Sequence, residues 1–203
     1  MKKKIQKGFT LIEILVFITI FLLVSIGIFN IFSFSQIFYS QETVQSELLQ
    51  NGRVILERIT REIRQGEGMV TQLPQVPDSP ENQPRLEIEF QDGHTPSPYA
   101  YLASDYYYIR YYFSSSTKEL YRQYKVYCFD PCESCNTYFR WSDTKIEGTD
   151  IISTHACVLE EKIIGEYVKN LNFWGSGLIS ISLTLNNKGQ ELTFQTKIFG
   201  RNF

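Results

Sequence analysis

The chain has few of the residues from which catalytic sites are usually built. It contains only two histidines, His94 and His155, among 203 residues. It has no Gly-x-Ser-x-Gly or His-Glu-x-x-His sequence, no glycine-rich phosphate loop and no dinucleotide-binding fingerprint. A catalytic nucleophile needs a neighbouring base that activates it, and these patterns are the common ways of supplying one. The sequence therefore predicts a protein that is not an enzyme, with no metal and no cofactor.

Charge and proline are both missing from the segment Ile14 to Phe34. Its length of about 20 residues matches a hydrocarbon core of roughly 30 Å. Four lysines precede it, which predicts a cytoplasmic N-terminus and an exported remainder. A secretory signal would have a shorter apolar region and a small-residue cleavage site, and the sequence after Phe34 has none. We therefore expect a single-pass anchor over about residues 9–34, preceded by the lysines Lys2, Lys3, Lys4 and Lys7.

One acid, Glu13, stands at the head of this apolar segment. A lone carboxylate in hydrocarbon costs roughly 2.5–3.5 kcal/mol unless it has a partner. The simple interpretation is a bitopic anchor whose Glu13 side chain reaches to the membrane interface. That interpretation leaves the Gly8-Phe9 sequence in front of it unexplained.

The sequence Gly8-Phe9-Thr10-Leu11-Ile12-Glu13 resembles the cleavage and methylation signal of type IV pilin-like proteins, which include type II secretion pseudopilins. The resemblance implies that a prepilin peptidase cuts after Gly8 and methylates the new amine of Phe9. It also implies that Glu13 is the acidic residue that such subunits need for assembly into a filament. The amine would lie one helical turn from Glu13, and pairing between neighbouring subunits would set their axial register.

The resemblance also implies partners and a location. The partners would be the prepilin peptidase, other pilin or pseudopilin subunits, the inner-membrane assembly platform and membrane lipid. The protein would lie in the cytoplasmic (inner) membrane and then in a pilus or pseudopilus. Three further segments resemble, more weakly, parts of minor subunits such as the J-type pseudopilin or the W-type minor pilin. They are Leu56 to Arg64, the hairpin with Leu120-Tyr121-Arg122, and Phe199 to Asn202. The alternative is a generic single-pass binding domain that contacts DNA or protein through a tyrosine-rich head.

Hydrophobic periodicity predicts an α+β fold, with a long N-terminal helix packed on an antiparallel sheet. Beyond the leader, residues 1–8, we expect a helix over 9–66, a proline-rich linker over 67–84 and a β-rich head over 85–203. The helix has an apolar stripe at three- and four-residue steps, and Arg58 and Glu62 are expected on its wet face. Alternating residues predict a strand at 85–90, hairpins over 106–127 and 178–199, and a short strand over 163–173.

Four cysteines lie in the head: Cys128, Cys132, Cys135 and Cys157. An even number in an exported domain favours up to two disulfides, and three pairings are possible. A zinc site formed by all four thiolates is an alternative. A redox pair of Cys132 and Cys135 is another, and the thiols could also stay unpaired.

Tyrosines cluster in the head with arginines between them. Aromatic and basic side chains together can stack single-stranded nucleic acid. However, a strand buries alternate residues, and the exported part has 16 basic and 21 acidic residues, which disfavours phosphate binding. Nucleic acid is therefore not expected as a partner. The cluster comprises Tyr99, Tyr101, Tyr106, Tyr107, Tyr108, Tyr111, Tyr112, Tyr121 and Tyr124, with Arg110 and Arg122.

Overall fold

The structure, a computed structural model, describes residues 10–77, 82–93 and 106–200. In these ranges the chain forms one α helix and ten β strands, and all of the strand pairs are antiparallel. The α+β prediction is confirmed. The chain divides into two compact units, residues 1–45 and residues 46–203. The helix α1 (Leu11–Gln65) begins in the first unit and ends in the second.

Helix α1 is continuous over 55 residues. It runs without a break through Gly27 and Asn30, where the sequence has weak helix formers. At its end the Gly66 N–H donates to the carbonyl oxygens of Glu62 and Ile63, at 3.0 and 3.2 Å. These bonds satisfy two carbonyl groups of the last turn, which otherwise lack helical partners.

The strands form three sheets in the second unit. A five-stranded sheet has the order β1-β2-β3-β4-β7, a three-stranded sheet has the order β10-β9-β8, and β5 pairs only with β6. Arg85 and Phe173 exchange two backbone hydrogen bonds of 2.9 and 2.8 Å, which join the two larger sheets. The strands are β1 (Gly68–Met69), β2 (Glu87–Gln91), β3 (Tyr108–Ser114), β4 (Glu119–Cys128), β5 (Thr144–Glu147), β6 (Asp150–Ser153), β7 (His155–Gly165), β8 (Val168–Trp174), β9 (Leu178–Asn187) and β10 (Gln190–Phe199).

The predicted apolar stripe of the helix is buried in the second unit. Four of its side chains are at most 1% exposed: Leu48, Ile55, Ile59 and Ile63. Two glycines allow close approach to this half of the helix. A Cβ at Gly52 would lie 2.3 Å from the Phe194 ring, and a Cβ at Gly165 would lie 2.3 Å from Ile55 Cδ1. Gly52 is therefore a packing position and not a weak point of the helix.

The two predicted hairpins are present as β3–β4 and β9–β10. The short strand predicted over 163–173 is present as β8, which begins later than predicted, at Val168. Residues 163–165 belong instead to the end of β7, and a turn in which Tyr167 has φ 61° separates the two strands. Few residues other than glycine, asparagine and aspartate adopt positive φ, so Tyr167 is not a residue type that predicts this turn.

The segment predicted as a linker contacts the head where the structure describes it. Strand β1 pairs with β2, and the Pro74 carbonyl accepts a 2.7 Å hydrogen bond from the Gly175 N–H. This segment therefore supplies β1, the short edge strand of the five-stranded sheet.

Candidate processing and assembly segment

Thr10 and Glu13 form a capping box at the start of the helix. Glu13 Oε2 accepts hydrogen bonds from the Thr10 N–H at 2.8 Å and from the Thr10 hydroxyl at 2.9 Å. In return Thr10 Oγ1 accepts from the Glu13 N–H at 3.4 Å. This reciprocal arrangement satisfies backbone N–H groups that have no partner within the helix.

The capping box gives the Glu13 carboxylate a local partner. Both Thr10 bonds end on the same oxygen, Oε2, and an ionised carboxylate has further acceptor positions. Glu13 can therefore keep the Thr10 bonds and still accept a bond from an amine. Sequence reasoning missed Thr10, although a Thr-x-x-Glu pattern before an apolar run is the signal of a capping box. Gly8 and Phe9 lie outside the described residues.

The N-terminal part of α1 exposes its apolar side chains. An 18-residue window reaches a mean hydropathy of 2.8, and none of it is buried within the chain. Phe17, Phe21 and Phe29 are each more than 60% exposed. By length and composition this helix can cross a membrane.

Residues 3–29 match the family described as the prokaryotic N-terminal methylation motif. The chain carries a prepilin-type methylation motif. The motif supports a type IV pilin-like or pseudopilin subunit, and it implies processing by a prepilin peptidase and assembly with other pilins. Together, the motif and the exposed apolar helix indicate membrane anchoring near the N-terminus. No curated protein and no solved structure shows significant similarity to the chain.

Two disulfides close the segment between β4 and β7. Cys128 bonds to Cys135, and Cys132 bonds to Cys157. Cys128 ends β4, and Cys157 lies on β7, the next strand in the sheet. This pairing differs from the redox alternative, because Cys132 and Cys135 each bond to another cysteine.

Histidine and cysteine ligand atoms lie close together at one point. The ligand atoms of Cys132, His155 and Cys157 are within 4.8 Å of one another. Zinc binds cysteine as the thiolate, and in this structure the two sulfurs are joined in a disulfide. His155 is exposed beside this bond. His94 lies outside the described residues.

Much of the tyrosine cluster belongs to the core. Four members are at most 4% exposed: Tyr107, Tyr108, Tyr111 and Tyr124. Burial raises the pKa of Tyr111 and Tyr124, with further contributions from the charges of Glu62 and Asp92 respectively. The neutral phenols are therefore packing and hydrogen-bonding groups. Tyr99 and Tyr101 lie outside the described residues.

Three described tyrosines of the cluster are only half-buried: Tyr106, Tyr112 and Tyr121. The rings of Tyr112 and Tyr121 stack with centroids 5.2 Å apart, and the Arg110 guanidinium lies 4.9 Å from the Tyr112 centroid. Arg110 also pairs with Glu87, and the Tyr112 hydroxyl donates to Glu161 at 3.1 Å. The Tyr121 hydroxyl donates to Glu119 at 2.6 Å, so the arginine and both tyrosines of this patch are already engaged with acids.

Glu62 joins the helix to the five-stranded sheet. Its side chain is 13% exposed and pairs with Arg122 Nε at 2.9 Å and with Arg58 Nε at 3.5 Å. The prediction that Glu62 and Arg58 share a wet face is therefore wrong for Glu62, because Glu62 points at strand β4.

A second ion pair is buried within the sheet. Lys125 Nζ lies 2.5 Å from Glu89 Oε2, with side chains 7% and 9% exposed. The Tyr127 hydroxyl donates to Glu89 Oε1 at 2.6 Å. A hydrogen-bonded buried pair of this kind leaves neither charge uncompensated. Both ion pairs therefore hold elements of the head together.

Proposed function

We propose that the chain is a structural minor subunit of a type IV pilus or a type II secretion pseudopilus. The observation that carries this proposal is the methylation motif at residues 3–29, which includes the first turns of the uninterrupted helix Leu11–Gln65. In this proposal the peptidase cuts after Gly8 and methylates Phe9. The head is exported and has no catalytic role.

The capping box gives Glu13 a role before and during assembly. In the membrane, Thr10 reduces the cost of the Glu13 carboxylate by hydrogen bonding. The remaining acceptor positions of Glu13 bind the Phe9 amine of a neighbouring subunit, which aligns the two helices along the filament. The apolar side chains that the helix exposes then pack against those of neighbouring helices.

The disulfides are consistent with export of the head, because such bonds persist in oxidising compartments outside the cytoplasm. The lysines before the apolar segment favour the same orientation. The surface of the head then determines which subunits can pack beside it.

Intact mass of the membrane-extracted protein tests the processing step. We expect the loss of residues 1–8 and the addition of one methyl group to Phe9. An uncut chain would contradict the proposal and favour a plain single-pass protein.

Substitution of Glu13 tests the assembly step. Glu13→Ala should remain in the membrane and be cut, but it should be absent from filaments. Glu42→Ala is the matched control, because Glu42 is an exposed acid on the same helix. Equal incorporation of both variants would refute the register role.

The alternative function is a membrane-anchored domain that binds DNA or protein through its tyrosines. The accessible stack of Tyr112 and Tyr121 beside Arg110 is the observation that favours it. Single-stranded oligonucleotide binding by the full chain in micelles would test it. We expect the Tyr112→Ala variant to bind the oligonucleotide no more weakly than the unchanged chain, since the acids Glu87 and Glu161 line the same patch and repel phosphate.

A further inference from the structure

Three side chains that bind metals meet at the Cys132–Cys157 disulfide. The ligand atoms of Cys132, His155 and Cys157 all lie within 4.8 Å of one another. His155 and Cys157 are two residues apart on strand β7, so their side chains project from the same face of that strand. Cys132 reaches them from the segment between β4 and β7, and its Sγ lies 3.9 Å from the Ala156 carbonyl oxygen. Two sulfurs and one imidazole are therefore gathered at a single point of the head.

The spacing of these atoms suits zinc once the disulfide is open. Tetrahedral zinc, with bonds of about 2.3 Å to sulfur and about 2.0 Å to nitrogen, holds its ligand atoms roughly 3.5–4 Å apart. The two sulfurs separate to this spacing when their bond is broken, and the imidazole is already close to it. The backbone of strand β7 needs no rearrangement for the metal to fit.

The charge and the exposure of the three residues also suit this ion. Two thiolates, a neutral imidazole and Zn²⁺ together carry no net charge. This balance matters because Cys157 is only 4% exposed, and burial of an unpaired charge is costly. Cys132 and His155 are exposed, so solvent water reaches the fourth position of the ion.

We propose that the head binds one zinc ion through Cys132, His155 and Cys157 while these cysteines are thiols, and releases it when their disulfide forms. Loading replaces the two thiol protons, which are released to solvent. Release uses an oxidant of the disulfide class. Each thiolate sulfur gives up one electron and the two sulfurs bond, while the oxidant is split into two thiolates and the metal leaves as Zn²⁺. The newly made chain has thiols, so the zinc form precedes the disulfide form.

The other disulfide supplies the nearest competing ligands. Cys128 is opposite His155 in the ladder between β4 and β7. Its side chain is fully buried, and its sulfur is bonded to Cys135. The exposed Cys132 sulfur is more open to solvent than Cys128, so the proposed site leaves the Cys128–Cys135 bond intact. A site built from all four thiolates would have no need of His155, which separates the two arrangements.

Metal titration of the full chain in micelles tests the site. The chain is reduced with a phosphine, which is then removed, and titrated with Co²⁺, whose charge-transfer absorption reports bound thiolates, and then with Zn²⁺. We expect one metal ion per reduced chain and none in the oxidised chain. Cys128→Ser/Cys135→Ser should bind the metal as the unchanged chain does.

The two histidines of the chain provide a matched pair of variants. His155→Ala should weaken zinc binding by at least about tenfold, since even residues that only support a metal ligand contribute this much. His94→Ala removes the other histidine and should leave binding unchanged. Addition of oxidised glutathione to the zinc-loaded chain should transfer the metal to a colorimetric chelator.

Several results would overturn the inference. These are no binding by the reduced chain, equal binding by the oxidised chain, no effect of His155→Ala, loss of binding in Cys128→Ser/Cys135→Ser, or zinc retained after oxidation. Near-ultraviolet circular dichroism follows the fold of the reduced chain. A chain that stays unfolded with zinc present would also contradict the inference, because the site depends on strand β7. None of these measurements depends on cleavage after Gly8, so the inference is independent of the proposed filament function.

Discussion

The Tyr111 hydroxyl donates a 2.6 Å hydrogen bond to Glu62 and so joins strand β3 to helix α1. Arg122, which is opposite Tyr111 in the sheet, donates to the same carboxylate at 2.9 Å. One helix residue therefore fixes two neighbouring strands. Because Glu62, Tyr111 and Arg122 meet between the helix and the sheet, loss of their contacts should weaken the whole head.

Tyr111 should make the stability of the head depend on alkaline pH. Burial, and then the charge of Glu62, raise the pKa of Tyr111 above its ordinary value of 10.0. Above that pH the unfolded chain loses the phenolic proton while the folded chain keeps it, so stability falls as pH rises. Tyr111→Phe removes this proton and should make the decline above about pH 10 less steep, while Tyr124 and Tyr127, whose pKa values burial also raises, still contribute to it. Urea unfolding in micelles, followed by near-ultraviolet circular dichroism, measures the slope, and an unchanged slope would contradict the assignment.

Arg122 and Arg58 both pair with Glu62, but they should differ in their contribution. Removing one partner of a buried pair leaves an uncompensated charge, so Arg122→Ala should cost about 3 kcal/mol of unfolding free energy. Arg58 is 37% exposed, and its pair is 3.5 Å long. Arg58→Ala should therefore cost less than about 1 kcal/mol. Equal losses in urea unfolding would show that the Arg122 contact is no stronger than a surface pair.

The sequence predicted the parts of the fold that local periodicity determines. The strict alternation of β9 and the apolar stripe of the helix each identify a buried face without reference to distant residues. Periodicity did not identify β5, β6 or most of β7. In β5 all residues are exposed, and β7 is an edge strand, so neither has a regular buried face.

The residues predicted for processing and assembly depend on local sequence in the same way. The predictions for Gly8, Phe9 and Glu13 rest on a compact motif, and Thr10 could have been added from the capping-box spacing. The position of Glu62 could not be deduced, because its partner Arg122 lies 60 residues later in the chain. An i,i+4 pattern reports neighbours on the helix and carries no information about the strand packed against it.

Thr10 should hold the first turn of the helix. Thr10→Val removes the hydroxyl that bonds to Glu13, and loss of a cap costs about 1 kcal/mol. We expect faster hydrogen exchange at residues 11–13 in micelles. Thr19→Val is the control, since the Thr19 hydroxyl bonds to the Leu15 carbonyl within the same helix. Unchanged hydrogen exchange in Thr10→Val would mean that the capping box does not stabilise the first turn of the helix around Glu13.

The two disulfides should contribute unequally to stability. Cys132–Cys157 closes 25 residues and Cys128–Cys135 closes seven. Chain entropy then gives losses of about 3.5 and about 2.4 kcal/mol when each pair is replaced by serines. Urea midpoints of Cys132→Ser/Cys157→Ser and Cys128→Ser/Cys135→Ser measure the difference. A larger loss for the shorter loop would show that strain or contacts outweigh loop length.

Gly165 should be required for the close approach of the helix to strand β7. A Cβ there would meet Ile55 Cδ1 at 2.3 Å, and Ile55 is 1% exposed, so it has little room to move. Gly165→Ala should cost about 1–3 kcal/mol by overpacking. Ile55→Val removes the clashing methyl, so the double variant should lose less than the sum of the two single losses. Gly68→Ala is the control, because the nearest atom to its Cβ is 4.0 Å away. Additive losses in urea unfolding would show that Gly165 and Ile55 do not determine this spacing.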